Sequence, residues 1–183
     1  MKRQIVAGAI FMFLFPAIGL GTLETQIWYD AEEITPVSGD TPARWQYAYG
    51  VKNIDLSVPI EEFTIWFDFD SYDNLSIETP DPPASDWDEI VVQPEPVLSD
   101  NGYYDVLAVM GIGINLGETV SGFSVSFDWL GIGEPGSQLY EIIDPDTFET
   151  LDSGQTIPEP STLLMIGLGA VILRRKRRSD ITH

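Results

Sequence analysis

Between residues 63 and 69 the chain reads Phe-Thr-Ile-Trp-Phe-Asp-Phe, with every odd position apolar, and Phe123-Ser-Val-Ser-Phe-Asp-Trp129 repeats the pattern sixty residues later. A period of two places alternate side chains on opposite faces of an extended strand, so each segment buries one face and wets the other. Further strands are expected at Gln26 to Tyr29, Arg44 to Val51, Leu75 to Glu78, Tyr104 to Met110 and Leu139 to Ile143. Trp45, Tyr47 and Tyr49 alternate along one of them and predict a shared buried face.

Clusters of turn-forming residues separate these runs: Gly39-Asp40, Pro80-Asp81-Pro82-Pro83, Asn101-Gly102, Gly131 to Gly136 and Asp152-Ser153-Gly154. No body segment carries a long helical period. The expectation is an all-β fold, a single antiparallel β-sandwich with jelly-roll or immunoglobulin-like topology. Pro80 to Pro96, with five prolines and acidic residues throughout, reads as a long surface loop holding Trp87 against the body. Gly111 to Gly117 resembles a phosphate-binding loop only superficially, lacking a lysine, and reads as a turn between strands.

Charge narrows the partners. From Glu24 to Glu159 there are 28 acidic residues against two basic ones, Arg44 and Lys52, a net charge of −26. Such a surface repels nucleic acid and anionic membranes, because phosphate binding needs clustered Lys and Arg. Cysteine is absent and the one histidine is His183. That removes disulfides, Cys/His zinc sites, cysteine nucleophiles and histidine-based triads from the body.

Both ends carry addresses. Lys2 and Arg3 precede an apolar run from Ile5 to Phe15 and small residues spaced one apart, the three parts of a signal peptide over residues 1–21. Cleavage after Gly19 or after Gly21 fits equally. At the other end Pro158-Glu159-Pro160 is followed by an apolar stretch from Ser161 to Leu173 and by Arg174-Arg175-Lys176-Arg177-Arg178. Thirteen helical residues span roughly 20 Å against a hydrocarbon core of about 30 Å, so snorkelling or bilayer thinning must close the gap. The positive-inside rule keeps Arg174 to Arg178 cytoplasmic and the acidic body outside.

This tail resembles a PEP-CTERM sorting domain in the order of its three elements. The resemblance implies an exported protein handled by a signal peptidase and then by an exosortase-type enzyme. It would be anchored transiently in the inner membrane by a C-terminal transmembrane helix and released to the cell surface or extracellular matrix. The chain would be the substrate of that enzyme and not an enzyme itself. Three parts are thus expected: 1–21 signal peptide, 22–157 acidic ectodomain, and 158–183 sorting tail, with a helix over 161–173 and a basic cluster over 174–178. Gly122 to Phe127 and Pro135 to Ile142, with Asp144 to Phe148 after them, are similar to stretches of PEP-CTERM ectodomains of unassigned function.

The resemblance implies a structural or adhesive role in an exopolysaccharide-rich matrix. Two other classes stay open. Asp68, Asp70 and Asp73, at the end of a strong strand, are spaced as oxygen ligands for calcium, although the run departs from an EF-hand loop; Asp86, Asp88 and Glu89 form a second acidic set. Trp28, Trp87 and Trp129 are candidates for stacking on sugar rings in a carbohydrate-binding module. A glycoside hydrolase would need only a carboxylate pair, which so acidic a chain supplies at any spacing.

Overall fold

A computed structural model describes residues 24–39, 41–109 and 111–159. The segment expected to be a signal peptide, and Pro160, the apolar stretch and Arg174 to Arg178 beyond it, lie outside the described residues.

Ten strands build two five-stranded sheets: β1 (Thr25–Thr35), β2 (Ala43–Asn53), β3 (Glu62–Phe67), β4 (Tyr72–Ile77), β5 (Trp87–Val92), β6 (Gly102–Ala108), β7 (Thr119–Trp129), β8 (Leu139–Ile143), β9 (Thr150–Gln155) and β10 (Ile157–Pro158). One sheet has the order β10-β1-β2-β7-β4 and the other β5-β6-β3-β8-β9. Every pairing is antiparallel except that of β10 with β1. Hairpins join β1 to β2, β5 to β6 and β8 to β9 within a sheet; each other connection crosses from one sheet to the other. The result is an all-β sandwich.

The alternation read from the sequence sets the core. Phe63, Ile65 and Phe67 point inward from β3, Tyr47, Tyr49 and Val51 from β2, and Phe123, Val125 and Phe127 from β7, all fully buried or nearly so. Trp45 joins them at the edge. Aromatic rings meet across the two sheets: Phe63 lies edge-on to Phe123 at 5.1 Å and Phe67 edge-on to Tyr72 at 5.1 Å. Each such ring contributes about 1.5–3 kcal/mol by leaving water, with a further ~0.5–1.5 kcal/mol for an edge-to-face pair. One polar atom in this core, Trp45 Nε1, is buried without a hydrogen-bond partner.

Two segments depart from the expectation. The stretch from Pro80 to Pro96 is not a continuous loop, because β5 forms inside it and pairs with β6 from Trp87↔Ala108 to Val92↔Tyr103. Its prolines flank the strand and none falls within it, so every backbone N–H that the ladder needs is present. Trp87 itself is buried against Phe63 and Phe123, as a loop anchor would be. Likewise Asp152-Ser153-Gly154 is the interior of β9 and not a turn. There the glycine is required by packing: a Cβ on Gly154 would come within 2.9 Å of the Tyr140 hydroxyl, so the residue that looks like a strand breaker is the one that lets β9 lie against β8.

Candidate functional site

The body meets the tail at a buried polar cluster. Gln138, in the crossing between β7 and β8, is 3% exposed, and Thr156, between β9 and β10, is fully buried. The Gln138 backbone N–H donates to Thr156 Oγ1 at 2.9 Å, Thr156 Oγ1 donates to Gln138 Oε1 at 3.1 Å, and the Thr156 N–H donates to the Gln138 carbonyl at 2.8 Å. Tyr49 also donates to Gln138 Oε1, at 3.3 Å, while Gln138 Nε2 donates to Tyr72 Oη at 3.1 Å and to the Gly136 carbonyl. Both ends of the amide are therefore used twice, which satisfies its full hydrogen-bonding capacity. Burial, with neighbouring phenols adding to it, pushes the Tyr47 and Tyr49 hydroxyls far above the ordinary phenol range and keeps them protonated.

From this pinned residue the chain turns directly into β10. Ile157 and Pro158 lie in parallel register with Trp28 and Tyr29, and the Glu159 N–H donates to the Tyr29 carbonyl at 2.8 Å. Because successive N–H groups alternate in direction and that of Glu159 faces β1, the Pro158 nitrogen faces away from the sheet. A proline there costs the ladder nothing and leaves the outer edge without a donor for another strand. Of the expected sorting motif, Pro158 and Glu159 are thus seated on the sandwich; Pro160 and Arg174 to Arg178 lie outside the described residues. β10 straddles residue 158, where the sequence places the start of the tail.

The acidic run after β3 is engaged in local turn hydrogen bonds. Asp68 Oδ1 accepts from the Asp70 N–H at 3.0 Å and from the Ser71 hydroxyl at 3.1 Å, which caps the turn into β4. Asp73 Oδ1 accepts from the Asn74 N–H at 2.8 Å. Asp68, Asp70 and Asp73 do not converge, and among the described residues no group of three or more His, Cys, Asp or Glu side chains is placed to hold a metal ion.

The three tryptophans singled out for sugar stacking are all engaged in the fold. Trp28 lies over Gly50, where an added Cβ would sit 2.3 Å from its ring. Trp87 is in the core. Trp129 packs on Tyr72 at 5.0 Å and donates its indole N–H to the Gly133 carbonyl at 2.8 Å.

A different tryptophan lines an open cleft. On the outer face of the β5-β6-β3-β8-β9 sheet, about 450 Å³ is enclosed by Trp66, Asn101, Leu139, Glu141, Ser153 and Gln155, together with Tyr140 and Gly154. An adjoining recess of about 150 Å³ shares Trp66, Asn101 and Leu139 and reaches Asp68 and Gln138. Tyr103, opposite Trp66 in the ladder, braces the indole edge-on with ring centroids 5.4 Å apart. The sequence held a signal for this site: Trp66 is the one aromatic at an even, water-facing position of the Phe63 to Phe69 alternation. Beside the cleft, burial raises the Asp105 carboxyl above its ordinary range while the Thr64 hydroxyl, donating at 2.6 Å, opposes the shift. Burial and the Asp105 charge raise Glu62 as well.

Among solved structures the chain is similar to a type I cohesin–dockerin complex from Clostridium thermocellum, with 15% identity over 73% of this chain and 99% of that one and a TM-score of 0.37. It is also similar to a GH20 exo-β-N-acetylglucosaminidase from Vibrio harveyi in complex with N-acetylglucosamine, with 10% identity over 75% of this chain and 18% of that one and a TM-score of 0.32. No curated relative matches the chain. Residues 156–178 match the model of the PEP-CTERM protein-sorting motif, beginning at the pinned Thr156 and running through Pro158 and Glu159, so the chain is a protein that carries a PEP-CTERM sorting motif.

Proposed function

We propose that this chain is an exosortase substrate whose sandwich serves as a structural or adhesive component of an exopolysaccharide-associated matrix. The motif marks an exported protein with a C-terminal sorting signal. The observation that carries the rest is the seating of that motif: its first residues, through Glu159, are part of the sandwich edge, so the motif begins within the folded body. A tail joined in this way holds the acidic body close to the membrane until it is cut. Export by residues 1–21, transient anchoring through 161–173, and a role in binding and display without chemistry complete the reading. The sequence of sheet crossings, three in succession from β2 to β5, supports a jelly-roll description of the sandwich over an immunoglobulin-like one.

Mass spectrometry of the mature protein from its native host tests the processing step. Extracellular material should lack the apolar stretch and Arg174 to Arg178; finding residues 158–183 intact on all of it would overturn the reading. Replacing Arg174 to Arg178 by neutral residues should disturb the orientation of the tail in a membrane-accessibility assay.

A further inference from the structure

We propose that the cleft over Trp66 is a binding site for a neutral polysaccharide. The assignment rests on the reading of the sandwich as a matrix-facing domain. It names the surface and the class of ligand, and places them on residues other than Trp28, Trp87 and Trp129.

A sugar ring presents an apolar C–H face and a rim of hydroxyls. The cleft offers the complement. Its apolar part is a single indole plate, Trp66, with Leu139 beside it; around that plate stand two amides, Asn101 and Gln155, a hydroxyl, Ser153, and a carboxylate, Glu141. Amides and hydroxyls both donate to and accept from sugar hydroxyls, and a carboxylate accepts from two at once. A peptide docking through apolar side chains would find little beyond the indole and one leucine. The plate is also fixed in orientation, because Tyr103 packs edge-on against it and both rings rise from paired central strands. Little side-chain freedom is then lost on binding.

Size and charge restrict the ligand further. At about 450 Å³ the cleft falls within the ~300–1,000 Å³ usual for small-ligand sites, and the adjoining recess extends it toward Asp68, so a chain fits better than a lone ring. The only basic side chains of the body, Arg44 and Lys52, both lie on β2 in the opposite sheet, and Arg44 is already bound to Asp128 at 3.0 Å. Among the described residues no cation lines the cleft to hold a uronate or sulfate, while Glu141 and Asp68 repel one.

The test uses the full-length chain in detergent, titrated calorimetrically with cellohexaose, laminarihexaose and dextran oligomers, with alginate and hyaluronan oligomers as anionic counterparts. At least one neutral oligomer should bind, and Trp66→Ala should weaken it by roughly tenfold or more, the loss expected on removing a stacking platform. Trp66→Phe should retain part of the affinity. Glu141→Gln, which changes one half-buried, outward-facing group and keeps its size, should weaken binding by about threefold to tenfold. Absence of binding to every neutral oligomer, preference for the anionic ones, or equal binding by folded Trp66→Ala and Glu141→Gln would overturn the proposal. Mass spectrometry of the host-derived protein separates this from the sorting reading: a cleaved tail without glycan binding sinks only the cleft, and glycan binding with an uncut tail sinks only the sorting.

Discussion

Thr156 and Gln138 hold each other through three hydrogen bonds of 2.8 to 3.1 Å, two of them through the single Thr156 hydroxyl oxygen, in a site closed to water. That oxygen accepts from one backbone N–H and donates to one side-chain carbonyl, so it is the hinge pin between the sandwich and the sorting motif.

Thr156→Val preserves the shape and removes both roles. The Gln138 N–H is then buried without a partner, and the variant should lose about 1–3 kcal/mol in urea denaturation. Amide exchange at Glu159, whose N–H is bound to the Tyr29 carbonyl, should speed up by more than global destabilisation accounts for. Thr156→Ser, which restores the hydroxyl, should recover most of both effects.

Gly50 and Trp28 form a second constrained pair. An alanine at 50 would put its Cβ 2.3 Å from the Trp28 ring, and the ring must leave the sheet surface. Gly50→Ala should cost about 1–3 kcal/mol, as overpacked sites do. In a double-mutant cycle the penalty should shrink when Trp28 is already alanine.

Asp105 is predicted to work against stability at neutral pH. Burial raises its folded pKa above the ordinary 3.8, so the folded state holds a proton where the unfolded state has released it. Stability therefore falls as pH rises through the window above 3.8 and recovers on acidification. Asp105→Asn keeps an acceptor for the Thr64 hydroxyl and removes a charge that also raises Glu62. The variant should be more stable than the wild type at pH 7, and the gain should vanish as the pH falls to about 4, measured as denaturation midpoints across that range.

Calcium should leave the melting temperature unchanged. Asp68 and Asp73 spend their carboxylates on local turn hydrogen bonds and do not converge with Asp70. Were a site present, calcium at about a hundredfold over its dissociation constant would add about 2.7 kcal/mol, a shift that calorimetry with and without chelator would show.

The sandwich was legible where its pattern was local. Phe63 to Phe69 and Phe123 to Trp129 announce strands by alternation alone, because a half-buried sheet imposes a period of two on any chain that forms it. β5 and β9 were not legible, for they are edge strands: Glu89 to Val92 and Thr150 to Gln155 bury little, their sequences show no regular polar–apolar alternation, and they exist because β6 and β8 offer them unpaired N–H and C=O groups. The cleft was half legible. Trp66 on the wet face was visible, but its neighbours Asn101, Glu141 and Gln155 come from separate strands and loops, and it takes the β3–β6, β3–β8 and β8–β9 pairings to gather them.

What the sequence determined by itself was the address and the charge: a sorting motif over 156–178, a body with a net charge of −26, and an interior without cysteine or histidine. These are properties of composition and linear order, which folding cannot alter. What only the tertiary structure decided is that the motif's first residues are a strand of the sandwich. Pro158 disfavours a strand, and a two-residue parallel pairing is too short to form unaided. It exists because Thr156 is pinned to Gln138 in the core, and that delivers the next residues to the open edge of β1.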